Sequence, residues 1–181
     1  YVGTGRMGGG YIRTYNNSGR ETSYLGTGSD NSGQLRIYDK QGETRSYLGD
    51  GYLQAYNQFG ERTIFLGTGT NGGGYLRTYN FSGQESIYVG TGADSSGQIR
   101  IYDNSGETGS FLGSGYFRTY NRFGKMTTFI GNATDGGGYL RTNNKFETET
   151  VFLGTNNANE GLINLNDKFG QSFWIRLNKK N

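Results

Sequence analysis

The 181-residue chain contains no cysteine, no histidine and no proline, and each absence closes off chemistry. Without cysteine there are no disulfides, thiolate nucleophiles or thiolate metal sites; without histidine, Ser-His-Asp and Cys-His catalysis and the usual zinc ligand sets are excluded. No apolar run approaches the ~18 residues of a membrane-spanning helix, and no signal peptide is visible. The chain opens mid-repeat at Tyr1 rather than on a methionine, the expectation for a processed chain or a piece of a longer one. Charge is nearly balanced, with 18 Lys+Arg against 15 Asp+Glu. The basic residues are dispersed except at the tail (Arg176, Lys179, Lys180), so the basic stripe of a nucleic-acid binder is missing.

What is abundant is glycine and aromatic residues: 34 Gly, 15 Tyr and 11 Phe, at a mean hydropathy of -0.74. Only 31% of residues are hydrophobic, a poor supply for a conventional core, yet the aromatic and β-branched content argues against disorder. These residues are ordered in a repeat. GGGYIRTYNNSGRETSYLGTG, which begins at Gly8, returns as GGGYLRTYNFSGQESIYVGTG from Gly72. Aligned on an aromatic-aliphatic-glycine triplet, eight repeats start at Tyr1, Tyr24, Tyr47, Phe65, Tyr88, Phe111, Phe129 and Phe152. Their starts are 23, 23 and 18 residues apart, then 23, 23 and 18 again, a higher period of 64. The glycine of the triplet is present in all eight.

A second segment in each repeat, of the type Tyr-Leu-Arg-Thr-Tyr-Asn, alternates with period two and predicts a strand. It closes on Asn or Asp, with glycine three residues later everywhere except at Glu147. Asn57-Gln58-Phe59-Gly60 is an example, and this is the signature of a tight hairpin. The opposite connection is short in two repeats, Gly49-Asp50-Gly51 and Gly113-Ser114-Gly115, and five residues longer in the others, as in Gly69–Gly74. Two strands per repeat joined by reversals predict an all-β, up-and-down antiparallel meander of about 16 strands; a β-helix-like parallel solenoid is the alternative. Residues 1–151 hold the regular repeats, and 152–181 read as an atypical C-terminal repeat and cap, with the sole tryptophan, Trp174.

Alternation separates two faces. One carries a single large aliphatic residue per strand, among them Ile12, Leu25, Leu76 and Val89. The other carries aromatics and arginines with glycine gaps. Ordering a repeat costs roughly 1–2 kcal/mol per residue in backbone entropy, which two aliphatic side chains at roughly 1.5–3 kcal/mol each do not offset. Stacking is therefore obligatory. So thin a core suits a narrow prism in which three sheets point one row each at a common axis; a homotrimer is the expected assembly, with a three-faced monomer as the alternative.

Candidate chemistry is sparse. Paired carboxylates remain open to a glycosidase, but Glu21, Glu43, Glu61, Glu85 and Glu107 recur with the repeat, and Asp30, Asp50, Asp94 and Asp135 sit in turns. These read as solvated charges, and the chain as no enzyme. Ser29-Asp30-Asn31-Ser32 and Ala93-Asp94-Ser95-Ser96 offer oxygens for Ca²⁺ but match neither an EF-hand nor the glycine-aspartate nonapeptide repeat. Gly8-Gly9-Gly10 lacks the lysine of a phosphate-binding loop. No cofactor or metal is expected. The remaining candidates are the triplets Tyr11-Arg13-Tyr15, Tyr75-Arg77-Tyr79 and Tyr116-Arg118-Tyr120. Each is either a cross-strand ladder that braces the sheet or a multivalent contact for a cell-surface glycan.

Tandem Gly-Gly-Tyr-Leu-x-x-Tyr-Asn-x-x-Gly-x-x-x-x-Tyr-Leu-Gly-Thr units resemble the repeats of fibrous proteins, of which phage tail-fibre and tail-spike shafts and trimeric surface adhesins are the nearest group. The resemblance is one of style and covers residues 1–174. It implies an elongated homotrimer or filament, secreted, on a cell surface or on a virion, with a structural role and with receptor binding at its ends.

Overall fold

In the computed structural model, residues 1–5, 8–134, 136–156 and 158–174 are described, with the Trp174 side chain excepted. Asp135 and the basic tail Arg176, Lys179 and Lys180 lie outside the described residues. The described residues form β-strands and turns with no helix, hence no helix long and apolar enough to cross a membrane. They divide into two compact units, Tyr1–Thr91 and Gly92–Asn181.

The N-terminal unit holds β1 (Val2–Thr4), β2 (Gly10–Tyr15), β3 (Glu21–Thr27), β4 (Gly33–Tyr38), β5 (Thr44–Gly49), β6 (Tyr52–Tyr56), β7 (Arg62–Thr68), β8 (Gly74–Tyr79) and β9 (Glu85–Thr91). The C-terminal unit holds β10 (Gly97–Tyr102), β11 (Thr108–Gly113), β12 (Tyr116–Tyr120), β13 (Met126–Asn132), β14 (Gly138–Asn143), β15 (Glu149–Thr155), β16 (Gly161–Asn166) and β17 (Ser172–Trp174). Within each unit every strand pairs antiparallel with the next in sequence. The fold is a meander, and the parallel-coil alternative gives way to it.

The hairpins that close on Asn or Asp lie on one edge of each meander. At the first, the Asn16 N–H donates to the Arg20 carbonyl and the Gly19 N–H to the Asn16 carbonyl, both at 2.9 Å. Asn16 Oδ1 accepts from the Ser18 and Arg20 N–H groups at 2.9 and 3.0 Å. Gly19 adopts φ 73, which is why glycine holds that place. The returning strand then carries one extra residue, a β-bulge. It turns Thr22 toward Thr14, with the hydroxyls 2.7 Å apart; Ser86 meets Thr78 and Thr127 meets Thr119 in the same way.

The long connections on the opposite edge obey the same backbone rule, not an irregular insertion. Gly28 N–H donates to the Ser32 carbonyl at 2.7 Å and Asn31 N–H to the Gly28 carbonyl at 3.2 Å, with Asn31 at φ 66. The short connections are two-residue turns with both residues at positive φ: Asp50 (52) with Gly51 (79), and Ser114 (49) with Gly115 (81).

Constant hairpins keep the register, and register turns each sequence column into a row across the sheet. In the N-terminal unit Val2, Ile12, Leu25, Leu35, Leu48, Leu53, Leu66, Leu76 and Val89 stand opposite one another in succession. In the C-terminal unit the row is Ile99, Leu112, Phe117, Ile130, Leu140, Leu153 and Ile163. This row, expected to be a thin core, is in register but uncovered within either unit: Leu25 is 52% exposed, Leu66 50% and Leu153 49%. Among the described residues the only buried hydrophobic side chain is Phe129, on the opposite face.

Candidate binding surface

The aromatic–arginine face is built from two interlocked rows. In one, arginine alternates with an aromatic ring along the direction of pairing: Arg13 opposite Tyr24, Tyr24 opposite Arg36, Arg36 opposite Tyr47. In the other, tyrosine or glutamine alternates with glycine: Tyr11 opposite Gly26, Gln34 opposite Gly49, Tyr75 opposite Gly90. The glycines make room for the tyrosines. A Cβ on Gly90 would lie 2.5 Å from Tyr75 Cβ and 2.9 Å from the Gly74 carbonyl oxygen, and one on Gly131 would lie 2.5 Å from Tyr116 Cβ. Rings therefore run as a ladder, with Tyr52–Phe65, Phe65–Tyr75 and Tyr75–Tyr88 stacked at centroid distances of 5.4, 5.1 and 5.9 Å. In the C-terminal unit Tyr116, Phe129, Tyr139 and Phe152 continue at 5.6, 4.7 and 5.5 Å.

All three sequence candidates lie on this face. The Arg13 guanidinium sits 4.6 Å from the Tyr11 centroid and 5.2 Å from Tyr24, and pairs with Glu21 at 3.2 Å. Arg77 repeats this with Tyr75 (4.8 Å), Tyr88 (5.6 Å) and Glu85 (3.3 Å). Arg118 lies over Tyr116 at 4.3 Å and Phe129 at 5.4 Å. Opposite Tyr120, however, stands Met126 in the place of the glutamate, and Arg118 has no ion pair among the described residues. Tyr116, Arg118 and Tyr120 instead help line a depression of ≈ 360 Å³ with Arg100, Glu107 and Phe111.

The charges on Arg13 and Arg77 are held firmly. A hydrogen bond with Tyr15 raises the pKa of Arg13 further above its ordinary value. At Arg77 burial works against the cation, but Glu85 and Tyr79 outweigh it and the pKa again rises. The packing has a cost: Nε of Arg13, Arg36, Arg77, Arg100, Arg118 and Arg141 is buried with no hydrogen-bond partner, a loss of about 1–3 kcal/mol each, set against contact with two rings at Arg13, Arg77 and Arg118 and with one at Arg36, Arg100 and Arg141. Ring hydroxyls are also used internally, as Tyr24 and Tyr88 each donate to the carbonyl three residues on (Thr27 and Thr91) at 2.7 Å.

Sequence reasoning singled out three arginines where the structure has six in one column, with Gln54 and Asn164 in its other two places. Arg36, Arg100 and Arg141 occupy the same place beside Tyr47, Phe111 and Phe129 at 5.5, 5.6 and 5.9 Å. The signal was available, since each directly follows the aliphatic residue of its strand. Of the acidic candidates, Glu21 and Glu85 are in ion pairs and two are engaged in turns: Asp30 Oδ1 accepts from the Ser32 N–H and hydroxyl at 3.1 and 2.8 Å, and Asp94 Oδ1 from those of Ser96 at 3.1 and 2.6 Å. Among the described residues no group of three or more carboxylates is arranged to hold a metal ion. Compared with known proteins, the chain matches no family model and no curated protein.

Proposed function

We propose that the chain is a structural segment of an extracellular fibre, of the phage tail-fibre or surface-adhesin shaft type, whose copies associate through the aliphatic row. The uncovered row carries this reading. A continuous row, all Leu, Ile and Val except for Phe117, crosses β1–β9 in one unit and β10–β16 in the other, partly exposed and flanked in the N-terminal unit by a second row in which Ile37, Ile64 and Ile87 are also exposed. Half-covered aliphatic side chains each gain roughly 1 kcal/mol when the rest is buried, and such a row sums along its length. Three copies, each presenting one row to a shared axis, form the prism that best fits so narrow a stripe. Sedimentation velocity over a wide concentration range tests the reading; a monomer throughout overturns it.

A second reading rests on the depression beside Arg118 and Tyr120. There the missing glutamate leaves a guanidinium and a phenol at an open site, the pairing that repeat lectins would offer a glycan. Arg118→Ala with Tyr120→Ala is expected to abolish binding on a glycan array while the melting temperature stays within a few degrees. Equal binding by wild type and variant rejects that reading.

A further inference from the structure

Three successive hairpins of the C-terminal unit carry a cation followed by phenylalanine at their tips: Arg122-Phe123, Lys145-Phe146 and Lys168-Phe169. They join β12 to β13, β14 to β15 and β16 to β17, so they lie side by side on one edge, roughly 10 Å apart as every second strand connection dictates. The rings stand out into solvent, 67%, 71% and 74% exposed. Each has its own cation near its face, at 4.7, 5.0 and 4.9 Å from the centroid. The tips are tied to one another: Lys125 Nζ pairs with Glu147 at 2.6 Å across the first two, and Asn144 Nδ2 donates to the Lys168 carbonyl at 3.2 Å across the second two.

Folding covers little of these rings. The residue type also matters. This chain uses tyrosine and phenylalanine interchangeably on its strands, yet the exposed tip aromatics Phe59, Phe81, Phe123, Phe146 and Phe169 are all phenylalanine. A ring kept in water gains from a hydroxyl, whereas a ring that enters hydrocarbon loses by one. The polar groups that would recognise a sugar beside the rings are committed to the turns: Asn121, Asn144 and Asp167 each accept from the phenylalanine N–H at 2.8–2.9 Å and from a second backbone N–H. The carboxylates are likewise engaged, Glu147 by Lys125 and Asp167 by its own turn. What these three tips present outward is three apolar rings and three cations.

We infer that this edge is a peripheral docking surface for an anionic lipid bilayer, with Phe123, Phe146 and Phe169 entering the acyl boundary and Arg122, Lys145 and Lys168 meeting lipid phosphates. The inference does not depend on the fibre reading, because it concerns the edge of the sheet and not its aliphatic face.

Co-sedimentation of the intact chain with vesicles of mixed phosphatidylglycerol and phosphatidylcholine tests it, beside vesicles of phosphatidylcholine alone. Binding is expected to the anionic vesicles and to weaken with salt. Phe123→Ser/Phe146→Ser/Phe169→Ser should weaken it about tenfold or more, with an unchanged melting curve. Phe59→Ser/Phe81→Ser, on tips of the N-terminal unit that lack the adjacent cation, should bind as wild type. Arg122→Gln/Lys145→Gln/Lys168→Gln provides a set that leaves the rings in place; partitioning should fall on the order of fivefold per cation removed. Absence of binding to anionic vesicles overturns the proposal, whether or not a soluble anionic polysaccharide binds instead. So does binding that survives the triple serine substitution.

Discussion

At the scale of single residues, glycine in this chain has two separable uses, and they predict opposite outcomes on substitution. Gly90 faces Tyr75 across the ladder, where an added Cβ meets Tyr75 Cβ at 2.5 Å and Tyr75 Cα at 2.9 Å. Neither atom is the far end of a flexible side chain, so the strands must move apart. Gly33, on the opposite face, has nothing within 4 Å of the same added atom and no positive φ. Gly90→Ala should therefore cost about 2 kcal/mol or more, as overpacking does. Gly33→Ala should be neutral or slightly stabilising, because it narrows the unfolded ensemble without strain. Urea denaturation of the two variants checks both; equal effects would show that the ring row does not require the glycine column. The column itself is visible in the sequence, present in every repeat. Its cause is not, because it lies across the strand pair, and only the register brings Tyr75 over Gly90.

At the scale of the hairpin, the side chain that closes the turn decides how it answers to pH. Asn16, Asn57, Asn80, Asn121 and Asn144 accept two backbone N–H groups with a neutral amide; Asp103 makes the same bonds with a carboxylate, to Ser105 and Glu107 at 2.9 and 3.0 Å. The Ser105 hydroxyl and these N–H groups hold the Asp103 pKa below its ordinary 3.8. Ser32 and Ser96 do the same for Asp30 and Asp94 in the opposite loops. At Asp39 partial burial acts the other way, but the Glu43 N–H and the Arg45 guanidinium overcome it. A carboxyl whose folded pKa is depressed binds protons more readily in the unfolded chain. Its contribution is therefore complete above the unfolded value and is lost as pH falls through the folded one. The melting temperature should be level from pH 8 to 5 and fall below about 4. Asp30→Asn/Asp94→Asn/Asp103→Asn should flatten that fall and leave the neutral-pH value nearly unchanged, as differential scanning calorimetry across the range would record. An unaltered acid slope would assign the loss to other groups. These closing hairpins were legible from Asn or Asp and the later glycine. The opposite loops were not, because Asn31 and Ser95 take the positive-φ place that glycine advertises elsewhere (φ 66 and 64), and hide a shared turn inside what reads as an insertion.

At the scale of the whole molecule, the two faces differ in whether the chain completes them. The aromatic–arginine face is covered by its own side chains, since the arginines of its column lie against one or two neighbouring rings and the Tyr24 and Tyr88 hydroxyls donate to carbonyls of their own strands. Within either unit the aliphatic face has no such cover among the described residues. Period-two alternation made both faces readable, but a side chain's place on a face does not say what packs against it. Partner identity is written in another copy or another molecule. If another copy fills that place, folding and association are linked by mass action and stability must rise with concentration. A single charge in the middle of the row should then separate the two. Leu66 stands between Leu53 and Leu76 and is 50% exposed, so Leu66→Asp meets water in a lone chain and leaves the sheet's own pairing intact. In an assembly the same carboxylate is buried without a partner, at a cost of several kcal/mol for each copy. The wild-type melting temperature should climb over a hundredfold range of protein concentration while sedimentation reports the oligomer. Leu66→Asp should sediment as a monomer with a concentration-independent transition and an unchanged β-sheet circular dichroism spectrum. An oligomer that persists in this variant would move the contact away from the aliphatic row, to a part of the surface that Leu66 does not touch.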